Sequence, residues 1–104
     1  MPVLELKPCC ENCENLLPPD STEARICSYE CTFCADCVEN VLMNVCPNCG
    51  GGFVPRPVRP ATERRPKTGL AHHPATTERT VKKVDPQAHV AFAEKIAAIP
   101  PEKR

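Results

Sequence analysis

Residues 10–49 read CENCENLLPPDSTEARICSYECTFCADCVENVLMNVCPNC, and four short cysteine pairs in this stretch decide the fold. The two cysteines of each pair are separated by two or three residues, at Cys10/Cys13, Cys27/Cys31, Cys34/Cys37 and Cys46/Cys49. A spacer of this length lets one turn of backbone direct two sulfur atoms at one metal ion. A structural zinc ion takes four ligands in a tetrahedron, so eight cysteines predict two zinc sites.

The segment that carries the cysteines has few large apolar side chains with which to build a core. The chain contains no tryptophan, one tyrosine and three phenylalanines, and a segment of roughly 40 residues is marginal when apolar burial alone stabilises it. A structural zinc site contributes on the order of 10–16 kcal/mol to folding. We therefore expect a small metal-stabilised α+β module whose folding depends on its zinc ions.

A disulfide scaffold is the alternative explanation for nine cysteines, and such scaffolds are typical of secreted proteins. The first eight residues include Glu5 and Lys7 and lack the apolar run of a signal peptide. No apolar stretch approaches the length of a membrane span. The paired spacing and the odd number of cysteines favour zinc, and we predict a cytoplasmic protein that does not associate with membranes.

Charge and composition divide the chain into two halves. Residues 1–54 carry eight acidic and two basic residues, whereas residues 55–104 carry five acidic and eleven basic residues. Prolines and arginines alternate after residue 54, which is typical of an extended and solvated segment. We predict a two-zinc cysteine-rich module at 1–54, a flexible Pro/Arg-rich linker at 55–84 and a short amphipathic helix at 85–99.

Local patterns predict several short elements within the module. Residues 1–8 show partial alternation and could form a strand, residues 24–32 are expected to form a hairpin, and residues 35–43 a helix. The packed face of that helix would consist of Val38, Val41 and Leu42. The three glycines at 50–52 are expected to end the compact region, because their backbone entropy opposes regular structure.

The C-terminal helix has recognisable start and stop signals. Asp85 is a good N-cap residue, Pro86 suits the first helical position, and Pro100 ends the helical pattern. The apolar stripe of this helix consists of Phe92, Ile96 and Ile99. An isolated helix of this length is marginal in water, so the helix either docks on the module or binds a partner.

The spacing of the cysteines leaves two ways of sharing the metal ions. Sequential pairing would join the first pair to the second and the third to the fourth. Cross-brace pairing would join the first pair to the third and the second to the fourth. Only two residues separate Cys31 from Cys34, which favours sending these neighbouring pairs to different metal ions.

The order of the four pairs, with Pro47 inside the last one, resembles the RING finger family, whose ligands interlace as a cross-brace. The resemblance covers residues 10–49 and implies a RING-like or treble-clef-like fold. It implies a first site of Cys10, Cys13, Cys34 and Cys37 and a second site of Cys27, Cys31, Cys46 and Cys49. The fourth RING position is usually histidine, so Cys31 would mark an all-cysteine variant.

Further strings resemble a family of short bacterial proteins of unknown function with a zinc-finger-like set of cysteines. These strings are ELKP (5–8), LPPDS (17–21), EARICS (23–28), ECTFCADC (30–37) and VCPNCGG (45–51). The resemblance extends from residue 3 to about residue 60. It implies a bacterial zinc protein and it implies no activity.

The chemistry of these motifs favours a binding role over catalysis. Four thiolates on each zinc ion leave no open position for a reacting water molecule. The sequence contains no recognisable catalytic triad, pair of carboxylates or phosphate-binding loop. We therefore predict that the chain is not an enzyme but a protein-interaction or adaptor module with structural zinc, whose partner is another protein.

Three alternative functions follow from other features. Eight basic residues of the tail could bind the phosphates of a nucleic acid. These residues are Arg56, Arg59, Arg64, Arg65, Lys67, Arg79, Lys82 and Lys83. A ubiquitin-ligase-like RING is less favoured, because Glu11 and Asn12 stand where such ligases present an apolar residue and Gly50 where they present a basic one. A thiol redox or zinc sensor would result if oxidation released zinc.

Cys9 and the histidines are expected to play no part in zinc binding. Cys9 adjoins Cys10 and is predicted to be a spare thiol, although substitution for Cys10 stays open. The histidines lie beyond a ligand set that is already complete, and we predict that they are solvated or lie on a helix face. They are His72, His73 and His89.

Overall fold

The computed structural model describes residues 3–104 of the chain. Within these residues the elements are β1 (Ala24–Ile26), β2 (Thr32–Cys34), α1 (Ala35–Asn40), β3 (Val54–Pro55), α2 (Pro86–Ile96) and a 3-10 helix (Pro101–Lys103). The strands form one antiparallel sheet in the order β2-β1-β3. The prediction of a small α+β fold is confirmed.

The hairpin predicted for residues 24–32 is present. β1 and β2 pair with Arg25 opposite Phe33, and the loop that joins them begins at Cys27 and ends at Cys31. Phe33 is only 1% exposed and meets Phe53 edge-to-face, with ring centroids 5.5 Å apart. The hairpin thus holds two cysteines at one end and anchors the apolar core through its second strand.

The strand predicted for residues 1–8 is wrong for the part that the structure describes. Residues 3–8 are irregular, and an isolated bridge at Cys9 follows them. Backbone carbonyl oxygens in this stretch accept from scattered donors in other parts of the chain instead of a neighbouring strand. The carbonyl oxygen of Lys7, for example, accepts from the Arg56 guanidinium at 3.0 Å. The first two residues of the predicted strand lie outside the described residues.

Helix α1 is shorter than predicted: it ends at Asn40, whereas the sequence predicts an end at residue 43. Met43 has a positive φ of 58°, which lies in the left-handed region and is incompatible with a continuing α-helix. Val38 and Leu42 are buried, and Val41 packs partly against the core. The predicted packing of all three residues is therefore confirmed, although only Val38 lies within the helix.

The expectation that the glycines at 50–52 end the compact region is wrong. The chain turns at Gly50, with a φ of 79°, and continues into β3, where Val54 pairs with Ile26 of β1. Pro55 is tolerated there because β3 is an edge strand, where a missing N–H leaves no ladder bond unmade. Pairing with β1 thus outweighs the backbone entropy of the glycines.

The segment predicted to be a linker makes specific contacts with the module. Arg56 is 4% exposed, and its guanidinium donates to the carbonyl oxygens of Lys7, Leu17 and Pro18 at 3.0, 3.1 and 3.1 Å. The flexibility predicted for residues 55–84 stays a prediction. Arg56 itself is buried in the packed structure, where its guanidinium joins three separate carbonyl groups.

Helix α2 begins where the sequence predicts. The Asp85 carboxylate accepts from the backbone N–H groups of Gln87 and Ala88 at 3.1 and 3.5 Å, which satisfies two free donors of the first turn. The helix ends at Ile96, short of the predicted residue 99. Among the residues that the structure describes, no helix combines the length and the apolar character needed to cross a bilayer.

Helix α2 docks on the module through a face that overlaps the predicted one only in part. His89 and Ala93 are 4% and 0% exposed, whereas Phe92 and Ile99 of the predicted stripe are 44% and 39% exposed. Ile96 of the stripe is half-buried, and it lies with Phe92 against Gly50 of the module. The imidazole of His89 is buried because its Nε2 atom bonds to the carbonyl oxygen of Leu42 at 2.8 Å. The docked face is therefore centred on His89 and Ala93, beside the predicted stripe, and it includes a polar contact that apolar spacing alone does not predict.

Candidate metal centre

The first sulfur cluster joins the first and third cysteine pairs. The Sγ atoms of Cys10, Cys13, Cys34 and Cys37 all lie within 4.8 Å of one another. Cys34 is the last residue of β2 and the N-cap of α1, and Cys37 lies in the first turn of that helix. The junction of strand and helix therefore fixes one half of the cluster, and the loop that starts at Cys10 supplies the other.

The second cluster joins the second pair to part of the fourth. The Sγ atoms of Cys27, Cys31 and Cys46 lie within 4.8 Å of one another, while Cys49 is exposed and outside this group. The ends of the β1–β2 loop supply Cys27 and Cys31. The structure thus brings together seven of the eight predicted ligands, and it groups them in the interlaced order that the RING resemblance implies.

The loops at 10–15 and 46–51, here called knuckle 1 and knuckle 2, share one pattern of backbone hydrogen bonds. The N–H of the first cysteine donates to the carbonyl five residues on, at 2.9 Å in knuckle 1 and 2.8 Å in knuckle 2. Glu14 and Gly50, which follow the second cysteine, have φ values of 65° and 79°. Their N–H groups donate to the carbonyl oxygen of the first cysteine of the knuckle, Cys10 or Cys46, at 3.1 and 2.8 Å. Cys49 therefore has in knuckle 2 the position that Cys13 has in knuckle 1.

Backbone N–H groups point at sulfur atoms in both clusters. The Sγ atom of Cys10 accepts from the N–H groups of Asn12 and Cys13 at 3.4 and 3.5 Å. In the second cluster, the N–H of Tyr29 donates to the Sγ atom of Cys27 at 3.4 Å. Donors in this position stabilise the thiolate, which is the form of cysteine that binds a metal ion.

An asparagine side chain adds one more donor to each cluster. Asn12 and Asn48 occupy the third position of the two Cys-x-Asn-Cys sequences. The Nδ2 atom of Asn12 donates to Cys37 Sγ at 3.4 Å, and that of Asn48 donates to Cys31 Sγ at 3.4 Å. Each asparagine therefore contacts the other cysteine pair of its own cluster. Sequence reasoning missed both residues, although the repeated Cys-x-Asn-Cys pattern was the signal that could have identified them.

Burial works against negative charge on most of these sulfur atoms. Burial raises the pKa of the thiols of Cys31, Cys34, Cys37 and Cys46. At Cys10 burial acts in the same direction, but hydrogen bonds from surrounding backbone N–H groups outweigh it and lower the pKa. Several thiolates held so close together also repel one another, so a cation is needed to keep them all ionised.

The donor set fits a tetrahedral metal ion. A zinc–sulfur distance of about 2.3 Å puts two sulfur atoms of a tetrahedron roughly 3.8 Å apart, and the Sγ atoms of Cys13 and Cys34 are 3.7 Å apart. Sulfur ligands favour zinc or iron–sulfur clusters over magnesium and calcium. The two clusters can therefore hold metal ions, through four cysteines in the first and three in the second.

The buried carboxylate of Glu11 fastens knuckle 1 to strand β2. Glu11 is 4% exposed, and its Oε2 atom accepts from the N–H of Thr32 at 2.6 Å and from Lys7 Nζ at 3.1 Å. Burial would lower the pKa of the Lys7 amino group, but the hydrogen bond and the charge of Glu11 raise it. Glu11 is therefore part of the frame around the first cluster.

Cys9 and the histidines lie outside both sulfur clusters. Cys9 is 1% exposed, and burial raises the pKa of its thiol. The Nε2 atom of His72 lies 2.8 Å from the Oε1 atom of Glu63 at the surface, and His89 bonds to Leu42 as described above. In residues 3–104 the groups that could hold a metal ion contain cysteine only.

The basic residues proposed to bind nucleic acid differ in exposure. Arg56 is buried, and with its guanidinium bonded to three carbonyl groups it cannot contact a phosphate in this fold. Arg59 is half-buried and donates to the carbonyl oxygen of His73 at 2.8 Å. The remaining six are exposed: Arg64, Arg65, Lys67, Arg79, Lys82 and Lys83.

Comparison with known proteins identifies the family of the chain. The family model described as "Protein of unknown function (DUF1272)" matches residues 3–59, just over half of the chain. An uncharacterized protein of Rhizobium meliloti (strain 1021) is 52% identical over 80 residues, which cover 77% of this chain and 88% of that protein. No solved structure matches the chain. The chain therefore belongs to this family, and the predicted resemblance to a family of unknown function with bacterial members is confirmed.

Proposed function

We propose that this member of the DUF1272 family is a non-catalytic protein with two structural zinc ions that acts as a protein-interaction or adaptor module. The observation that carries the proposal is the grouping of cysteine sulfur atoms, four in one cluster and three in the other. Four thiolates complete the coordination of a zinc ion and leave no position for a reacting water molecule. The metal ions would then hold a binding surface in shape.

Cys49 is the fourth ligand of the second zinc ion in this proposal. The support comes from the two knuckles, in which Cys49 and Cys13 hold equivalent positions, while the Cys13 sulfur lies within the first cluster. The Sγ atom of Cys49 also accepts from the N–H of Gly51 at 3.4 Å, the type of contact that stabilises a thiolate. With Cys49 as a ligand, the second zinc ion would have the four thiolates of a complete tetrahedron.

The interlaced grouping supports a RING-like cross-brace for the module. In such an arrangement each metal ion joins two parts of the chain that are distant in sequence, so a small core suffices. A role as a ubiquitin ligase is less favoured. Glu11, at a position where such ligases present an apolar residue, is buried and bonded to Thr32 and Lys7.

The zinc content of the protein is the first test of this proposal. Native mass spectrometry of protein purified without chelator should give a mass excess of two zinc ions, and this excess should disappear under denaturing conditions. Retention of one zinc ion would contradict the second site. Protein that is folded without any metal, or that contains an iron–sulfur cluster, would overturn the proposal.

The adaptor role needs a separate test. Zinc-loaded protein immobilised on a resin should retain a specific protein from a cognate bacterial lysate, and the chelator-treated protein should lose it, because the surface depends on the metal ions. The adaptor role fails if the loaded protein retains nothing above background. We assign the protein to the cytoplasm, where reducing conditions keep cysteines available to zinc.

Nucleic-acid binding is the second candidate, and it is favoured by six exposed basic side chains between residues 64 and 83. Phosphate contacts of this kind weaken steeply as salt concentration rises. A mobility shift at low salt that disappears at high salt would support this function. The absence of any shift at low salt would eliminate it.

A further inference from the structure

We propose that Asn12 is a positioning residue that couples metal binding at the first cluster to docking of the C-terminal arm, defined here as residues 82–99. The inference rests on the proposed function, because it requires a metal ion among the four sulfur atoms of the first cluster. Asn12 belongs to knuckle 1 and is half-buried. Both ends of its side-chain amide are bonded, one to the cluster and one to the arm.

The two hydrogen bonds of Asn12 determine the orientation of its amide. The backbone N–H of Val84 lies 2.8 Å from one end of the amide. A backbone N–H can only donate, so the atom that faces it is the oxygen Oδ1. The Nδ2 group must then point the other way, and it lies 3.4 Å from the Sγ atom of Cys37. The arm and the cluster are thus joined through one planar group.

Metal binding should strengthen this link. A metal-bound cysteine is a thiolate, and a hydrogen bond to an ionised acceptor is roughly twice as strong as one to a neutral acceptor. A neutral thiol is only a weak acceptor. When the first cluster holds its metal ion, Cys37 Sγ fixes the amide plane of Asn12, and Oδ1 is held in position for Val84.

The position of Val84 makes this bond important for the whole arm. Val84 directly precedes Asp85, the N-cap residue of α2, and its side chain packs against the hydrophobic core. Two residues before Val84, Lys82 donates its N–H to the carbonyl oxygen of Glu11, also in knuckle 1, at 2.7 Å. Knuckle 1 therefore holds the start of the arm by two hydrogen bonds, one to Lys82 and one to Val84. Helix α2 begins directly after these bonds and reaches Leu42 through His89.

Asn48 provides an internal comparison for Asn12. It has the same position in knuckle 2 and the same type of bond to a cluster sulfur, at 3.4 Å from Cys31. Its side-chain oxygen has no bond to the arm among the described residues, whereas Asn12 contacts Val84. Knuckle 2 meets the arm further along, where Gly50 lies against Phe92 and Ile96. If the geometry governs the coupling, both asparagines support a metal ion but only Asn12 transmits its presence to the start of the arm at Lys82 and Val84.

The test uses the full chain with Asn12→Ala and the matched control Asn48→Ala. Zinc affinity is measured by chelator competition, alkylation of freed cysteines identifies the emptied cluster, and hydrogen exchange reports on the amides of the arm. Loss of a supporting hydrogen bond typically weakens metal affinity by about 10–100-fold. We expect Asn12→Ala to weaken the first cluster by this factor and to speed exchange at the start of the arm, at the amides of Lys82 and Val84. Asn48→Ala should weaken the second cluster and leave exchange at these two amides unchanged.

A second pair of variants protects the test if Asn12→Ala fails to fold. Val84→Pro removes the N–H donor without touching the cluster, and Val84→Ala keeps the donor while shortening the side chain. Coupling between two sites is reciprocal, so Val84→Pro should weaken zinc binding at the first cluster more than Val84→Ala does. Equal zinc affinities in these two variants would overturn the coupling.

The outcomes separate this inference from the proposed function. Wild-type protein that binds no zinc contradicts the proposed function itself. Wild-type protein with two zinc ions, combined with equal exchange rates at Lys82 and Val84 in the Asn12→Ala and Asn48→Ala variants, leaves the proposed function intact and refutes the coupling.

Discussion

The Nε2 atom of His89 lies 2.8 Å from the carbonyl oxygen of Leu42, and this bond joins α2 to the chain just after α1, 47 positions away in sequence. Because a carbonyl oxygen only accepts, Nε2 carries the proton and donates it. Leu42 is fully buried, so the bond is shielded from water. It makes the C-terminal helix a part of the packed structure.

The first prediction concerns this bond. His89→Ala should destabilise the docked helix, because the variant loses a buried hydrogen bond and opens a space beneath α2. Leaving a buried polar group without its partner costs about 1–3 kcal/mol, and urea unfolding of the zinc-loaded protein measures this change. His72→Ala is the control, since His72 is exposed. Equal stability of the two variants would contradict the role of His89.

The second prediction concerns Arg56. Arg56→Met should lower the free energy of unfolding by at least about 1–3 kcal/mol, because carbonyl groups that its guanidinium satisfies lose a donor. Arg56→Lys should rescue little, since an ammonium group cannot reproduce the planar fork of a guanidinium.

Thermal unfolding of the zinc-loaded variants measures the effect of Arg56, with Arg64→Met as the control on an exposed arginine. The role of Arg56 as a buried anchor would be refuted if the Arg56→Met and Arg64→Met variants had the same unfolding midpoint.

The third prediction distinguishes two cysteines. Cys49→Ser should reduce the zinc content from two ions to one or strongly weaken binding of the second ion, because only three sulfur ligands then remain at the second cluster. Cys9→Ser should keep both ions, since Cys9 lies outside both clusters. Native mass spectrometry of the two variants under identical conditions provides the measurement. Two tightly bound ions in Cys49→Ser would show that Cys49 is not a ligand.

The fourth prediction concerns pH. Burial raises the pKa of the Cys34 and Cys37 thiols above the ordinary value, so without metal these groups keep their protons at neutral pH and above. Zinc must displace those protons, and its affinity should therefore rise from about pH 6 to about pH 8 and fall on acidification. Chelator competition at several pH values measures the affinity, and an unbuffered titration measures the released protons. An affinity independent of pH would contradict this prediction.

Short-range features of the chain could be predicted from the sequence. The hairpin, the N-cap of α2 and the packed face of α1 depend on residues only a few positions apart, and the structure contains all three. The prediction for the glycines at 50–52 failed because β3 gains its stability from β1, which lies more than 20 positions earlier. The predicted stripe of α2 was right only in part for a similar reason, because His89 finds its partner on a distant part of the chain.

The sequence alone determined that the cysteines form short pairs able to grip metal ions, because a spacer of two or three residues fixes the separation of two sulfur atoms within one turn. The spacing favoured an interlaced grouping of the pairs but left sequential pairing open, and the tertiary structure decided between the two. The tertiary structure alone decided which arginine is buried and where Asn12 finds its second partner. The bond between Asn12 and Val84 spans 72 positions, and no local pattern encodes such a contact. It arises only when the folded module brings knuckle 1 and the C-terminal arm to the same place.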